Sequence, residues 1–261
     1  MTATILNFSA FTLLLLVMIL FILTGLVMLF VVQKYFTKLH FSGHAEFGEI
    51  FGNTISIIFG FILAFITISV WQSYNNVSDT LSKEANTLFN IYRTIEAYPP
   101  EIRDAGKKQL IIYVHEVINT EWDSLAKSQY DLRAYKALMS FHDLIIHFVP
   151  KNNGEIAAHQ EELRLLSSYR ELRRNRVENA KSLIDQPMWI ALIASAVLFL
   201  FFSSLFKMRS LRIHATMITL LSISISLIFY LLLIYNNPFI GPSALQPEPF
   251  QKLLDYYWLK T

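Results

Sequence analysis

Residues 51–70 read FGNTISIIFGFILAFITISV, from Phe51 to Val70, without a single charged side chain. A helix rises ~1.5 Å per residue, so a run of this length covers the ~30 Å hydrocarbon core of a bilayer. Trp71 and Tyr74 follow at once, as aromatic anchors do where a helix leaves the hydrocarbon. This run decides the fold class, because it is a membrane span rather than a buried strand or a core helix.

Working outward, three more such runs appear. One extends from Phe8 to Val32 and carries no charge. The residues before it, Met1 to Asn7, lack the basic flank of a secretory signal, and Lys34 and Lys38 come after the span, so it reads as a retained helix. Another is opened by Pro187 and Trp189 and runs to Phe206. After the turn Lys207-Met208-Arg209-Ser210-Leu211-Arg212, the last covers Ile213 to Tyr235 and stops at Asn236-Asn237-Pro238, where proline cannot continue a helix. The expectation is an all-α integral membrane protein. Residues 1–70 hold the first two transmembrane helices, 71–187 a helical extramembrane domain, 188–235 the third and fourth transmembrane helices, and 236–261 a C-terminal tail.

Composition agrees. Of 261 residues, 54% are hydrophobic and 16% charged, and most of the charge falls within 71–187. Soluble domains carry about 25% charged residues. With no cysteine, disulfides, thiolate metal sites, iron–sulfur clusters and cysteine nucleophiles are excluded. A net charge of +2 implies no nucleic-acid partner.

Within 71–187 the apolar period is helical. Val77, Leu81, Leu88 and Ile91 extend the second span's pattern outward as one long helix until Pro99-Pro100. Pro100 and Glu101 suit a new helix start. Leu110, Ile111, Val114, Val117, Ile118, Trp122 and Leu125 form the next stripe. Leu132, Tyr135, Leu138, Met139, Leu144, Ile145 and Phe148 form another, closed by Pro150 and the Lys151-Asn152-Asn153-Gly154 turn. The last helix begins near Glu155, carries Ile156, Leu163, Leu166, Tyr169, Leu172, Val177 and Leu183, and is expected to approach the third span directly.

Four spans put both termini and the helical domain on one side of the membrane. Lys34, Lys38, Lys207, Arg209 and Arg212 flank the two short loops, so the positive-inside rule places those loops in the cytoplasm and the domain outside. Arg170, Arg173, Arg174, Arg176 and Lys181, just before the third span, argue the other way.

Two readings of the second span remain open. Asn53, Ser56, Gly60, Ala64 and Thr67 share a face, and Gly52, Ser56, Gly60 and Ala64 make a small-x-x-x-small series of the kind that lets membrane helices pack closely. The same polar stripe, or the opposing Ile57, Phe61 and Phe65 as a hydrophobic constriction, suits the lining of a pore. In the fourth span Thr216, Thr219, Ser222, Ser226 and Tyr230 align against protein or water. No ionisable residue lies deep in a span, which argues against a proton pump.

The run holding Arg170, Arg173, Arg174 and Arg176 either draws anions or lipid headgroups or pairs with Glu121, Asp123 or Glu171. His142 and His147 are five apart and diverge on a helix, so they, with Asp143, make no metal site; His115, Glu116 and Glu121 fare no better. No phosphate-binding glycine loop, nucleophile elbow or H-E-x-x-H is present, so neither enzyme nor cofactor is expected.

Several short patterns, in order, resemble the bacterial bestrophin-like membrane proteins. They are Asn53 with Phe59-Gly60-x-x-x-Ala64-Phe65, Lys83-Glu84-Ala85, Tyr113, Glu121-Trp122 and Arg173-x-x-Arg176. Pro187-Met188-Trp189, Asn237-Pro238-Phe239-x-Gly241 and Pro247-x-Pro249-Phe250 complete them. The resemblance implies a homo-oligomer, a pentamer as in bestrophins, and the absence of targeting sequences suits a bacterial plasma (inner) membrane. It also implies passage of inorganic anions, with span two lining the pore and its apolar residues as the neck.

Overall fold

The computed structural model describes residues 9–36, 45–127, 129, 131–206, 208 and 210–258, so Phe8, Lys38, Lys207 and Arg209 lie outside the described residues. The helices are α1 (Ala10–Tyr35), α2 (Ala45–Thr94), α3 (Pro100–Glu116), α4 (Trp122–Ala126), α5 (Leu132–Ile146), α6 (Asn153–Glu178), α7 (Gln186–Ser204), α8 (Leu211–Tyr235) and α9 (Glu248–Lys252). No strand occurs among the described residues. Four helices, α1, α2, α7 and α8, are long and apolar enough to cross a membrane. The protein is an all-α integral membrane protein.

Two compact units divide the chain. The first takes in the described parts of Met1–Tyr74, Ser182–Asn237 and Gly241–Ser243. Here α1, capped by Ser9 Oγ on the Thr12 amide, packs chiefly on α8. Gly25 makes that approach possible, since a Cβ there collides with Ser222 Oγ and comes within 3.0 Å of Ile218 Cγ2. The Phe21 and Phe229 rings meet at 4.7 Å. In α2, Phe59 stacks on Phe199 of α7 at 5.0 Å, and Gly52 leaves room for the Phe202 ring. Of the α8 hydroxyl stripe, Ser222 and Ser226 are buried against protein, whereas Thr216 is exposed and bonds its own backbone at Arg212.

Asn236 ends α8 and organises the approach to α7. Its side-chain oxygen accepts from the Ile184 amide (2.8 Å) and Ser182 Oγ (3.0 Å), and its carbonyl accepts from the Leu183 amide (2.9 Å). Residues 179–185 therefore form a capped turn, and the expected direct approach of the last helix to the third span gives way to α6 ending at Glu178. Tyr74 donates to the Ser243 carbonyl at 2.6 Å.

The second unit takes in Asn75–Lys181, Pro238–Ile240 and the described part of Ala244–Thr261. Its core gathers Leu81, Leu88 and Ile91 of α2, Leu110 and Val114 of α3, Leu138, Phe141 and Ile145 of α5, and Leu166 and Tyr169 of α6. The buried face of α5 is Ala134, Leu138, Phe141 and Ile145, so the expected stripe is rotated and Leu132 and Tyr135 stand exposed. That of α6 is Glu162, Leu165, Leu166, Tyr169, Arg173 and Arg176, so three of its charged residues turn inward, and Ile156 is exposed. Between α3 and α4 the chain widens into a π-helical turn, Val117–Glu121, which carries both of its end residues inward. Residues after α8 join the core as well. Trp258 stacks on Tyr92 at 4.5 Å, and Trp122 Nε1 donates to the Leu245 carbonyl at 2.9 Å.

Candidate functional site

Two features stand out: an uncovered face on the apolar part of α2, and a charged cluster inside the second unit.

On α2, Phe59, Leu63, Ile66 and Val70 are the side chains buried within the unit. The other side carries Ile57, Phe61 and Phe65, exposed by 58%, 73% and 71%. Gly60 and Ala64 lie beside them, and a Cβ added at Gly60 meets nothing within 4 Å. Close packing inside the unit therefore uses Gly52 of the small-residue series and leaves Gly60 in the open. Ser56 and Thr67 donate to their own helix at the carbonyls of Gly52 (2.7 Å) and Leu63 (2.6 Å), which lowers the cost of placing a hydroxyl in hydrocarbon. Asn53 is exposed.

Inside the second unit, Glu84, Glu121, Arg173 and Arg176 are buried together. Arg176 donates from Nε to Glu84 Oε2 (2.8 Å) and from Nη2 to Glu84 Oε1 (3.1 Å) and Glu121 Oε1 (2.6 Å). Arg173 Nη2 donates to Glu121 Oε2. Tyr169 OH reaches Glu84 Oε1 (3.2 Å) and Tyr113 OH (2.6 Å). The Arg176 guanidinium also lies 5.5 Å from the Trp122 ring and 5.6 Å from the Phe250 ring. Burial opposes the charge on Arg176, but the carboxylates of Glu84 and Glu121 outweigh it and hold the group well above the usual guanidinium range. Burial first, and Glu121 next, push the Tyr113 phenol up as well.

Two guanidiniums facing two carboxylates neutralise one another, so this cluster is a clamp joining α2, the π-helical turn and α6. It takes Arg173 and Arg176 out of any solvent-facing basic run. Arg170 and Arg174 remain exposed, the first 3.5 Å from His142 Nε2 and the second 4.0 Å from Glu178. Asp123 and Glu171 make no ion pair among the described residues within 4.0 Å, so of the expected partners only Glu121 is engaged. His147 Nδ1 lies 2.8 Å from the Asp143 carbonyl of its own helix, while His142 faces the Asp143 carboxylate at 3.5 Å.

The burial of three polar residues escaped sequence reasoning. Glu84 falls on the stripe of Val77, Leu81, Leu88 and Ile91, and a carboxylate at core period is itself the signal. Glu162 stands likewise on the face of Leu166 and Tyr169, with neither oxygen hydrogen-bonded, and burial pushes it up to about 8. His214, in the first turn of α8, is buried with Nε2 3.2 Å from the Ser203 carbonyl of α7.

A four-span helical membrane protein with a charged clamp in its helical domain is thus defined. The bestrophin-like domain pattern matches residues 19–250, and the chain belongs to the bestrophin-like family. A solved crystal structure of a membrane protein, 13% identical, shares the fold with a TM-score of 0.60 over 93% of this chain and 97% of that one. Comparison with curated proteins gives no match. Glu84, Tyr113, Glu121, Trp122, Arg173, Arg176 and Phe250, scattered through the sequence patterns, meet in the clamp.

Proposed function

We propose that the protein is an oligomeric ion channel that conducts inorganic anions, with α2 lining the pore and Ile57, Phe61 and Phe65 forming its neck. The uncovered face of α2 carries this reading, because three large apolar side chains there find no cover within their own unit. A ring of copies, a pentamer by family resemblance, brings that face to a common axis, where bulky apolar side chains gate by dewetting. Gly60 and Ala64 beside them allow neighbouring helices to approach. Membership of the bestrophin-like family supports anions as the permeant species. The channel sits in a bacterial plasma membrane, with the helical domain outside, as the loop cations Lys34 and Arg212 favour.

Chloride flux from liposomes holding the purified protein tests this. Phe61→Ala and Phe65→Ala are expected to raise the flux severalfold. Protein that passes no chloride in either form contradicts the channel. That result favours a non-conducting scaffold or sensor whose helical domain binds a partner.

A further inference from the structure

The two halves of α6 are held very differently. From Asn153 through Glu161 no residue of the helix is buried, and Glu162 is the first that is. Leu165, Leu166, Tyr169, Arg173 and Arg176 follow it and tie the C-terminal half into the apolar core and the clamp. The N-terminal half rests on the turn that ends α2 and on the end of α5 through a short set of contacts. His159 Nδ1 lies 3.0 Å from Tyr98 OH, and the Phe148 ring meets the rings of Tyr98 and His159 at 4.8 and 5.7 Å. Ala158 and Leu163 are only partly covered. A segment with so few buried apolar contacts opens more readily than the rest of its fold.

The one fully buried anchor of this corner is a carboxyl with nothing to answer its charge. Neither Glu162 oxygen finds a hydrogen-bond partner among the described residues. On α6 the charge that acts on it is that of Glu161, of like sign and bonded to Arg164. On the facing turn Tyr98 is a neutral phenol whose ionisation is opposed by burial and by Glu162, while Glu96 is bonded to Lys107 of α3. On α5 His142 lies against Asp143 and Arg170, and His147 bonds its own helix. A carboxyl so enclosed keeps its proton, because ionisation in place strands a charge. Burial, with the smaller push of Glu161, holds that proton until about pH 8.

Once the first half of α6 swings away, Glu162 meets water and ionises as an ordinary carboxyl does, near ~4.3. Opening therefore grows easier as pH rises from about 5 to about 8, by up to about tenfold per unit, and levels off above that. We propose that Glu162 is a proton-operated latch: protonated, it seats the N-terminal half of α6 on the Tyr98 turn, and its ionisation releases that half while the clamp holds the other. The latch acts within the second unit and is independent of conduction.

Hydrogen exchange of the full chain in detergent, read by mass spectrometry between about pH 5 and about pH 8, tests this. Glu162→Gln is measured beside the parent, so that the intrinsic pH dependence of exchange cancels in the ratio of the two. Amides of residues 95–98 and 156–162 are expected to exchange progressively faster in the parent than in the variant as pH rises, by up to about tenfold per unit. Amides of residues 165–176 are expected to lag well behind that change. Glu162→Met, apolar and of similar length, is expected to behave as Glu162→Gln does and serves if the amide is poorly accommodated. A ratio at 95–98 and 156–162 that stays constant with pH overturns the latch. An equal change at 165–176 overturns it too, since the whole unit then opens at once.

Discussion

Arg176 holds Glu84 in a two-pronged hydrogen bond, Nε to Oε2 at 2.8 Å and Nη2 to Oε1 at 3.1 Å, across 92 positions of sequence. Both side chains are fully buried. A pair so placed contributes little net stability over a packed apolar pair, because desolvation offsets most of the attraction. What it does is fix register: α6 cannot slide along α2 without stranding a charge.

Removing one partner is therefore costly. Arg176→Met leaves Glu84 without its cation and Glu121 with Arg173 alone, and is expected to lower unfolding stability by about 3–5 kcal/mol. Glu84→Gln costs less, since the amide oxygen can still accept from Arg176, which also keeps its bond to Glu121. Thermal unfolding in detergent checks the order, and an Arg176→Met protein as stable as the parent contradicts the clamp.

Glu162 gives the fold a pH dependence. Burial, with a smaller push from Glu161, raises its carboxyl to about 8, so the folded chain holds this proton more tightly than the unfolded chain does. Its contribution is greatest below the ordinary carboxylate range and is lost as pH rises to about 8. Glu162→Gln, which mimics the protonated form, is expected to match the parent near pH 5 and exceed it above pH 8 by on the order of 2–4 kcal/mol. Unfolding measured across that range decides, and parallel curves for the two proteins refute the assignment.

Gly25 sets the distance between α1 and α8. A methyl group there meets Ser222 Oγ and Ile218, so Gly25→Ala is expected to cost about 1–3 kcal/mol in thermal stability. Gly60→Ala, at an open position, is expected to leave the isolated subunit unchanged.

Because the chain has no cysteine, its sidedness can be read with single introduced thiols. Ser140→Cys on α5 and Met208→Cys in the short loop both place the thiol at exposed positions. An impermeant maleimide on intact cells is expected to label the first and to reach the second only after permeabilisation. The reverse pattern puts the helical domain in the cytoplasm.

The spans were legible because a bilayer demands long uncharged runs, and Phe51–Val70 announces one without tertiary information. Helical period likewise exposed the core face of α2 at Leu81, Leu88 and Ile91. Reading failed where the period carried charge. The run from Arg170 to Arg176 looks like one basic face, yet successive spacings of three and four residues align Arg173 and Arg176 with Tyr169 and Leu166 on the buried side. Nor did any local signal mark the π-helical turn that brings Glu121 inward; Trp122, directly after it, packs on Phe239 and Phe250, which lie far off in the sequence. The tail after α8 was opaque too, since Phe250 and Trp258 are held by contacts with Trp122 and Tyr92, distant in the sequence.

The most direct test of the channel is an imaged structure of the protein in nanodiscs, read for symmetry and for what surrounds α2. A channel is expected to show a ring of copies with Ile57, Phe61 and Phe65 facing a common axis and narrowing a continuous path. A monomer or dimer, or a ring in which those three side chains face lipid, contradicts it.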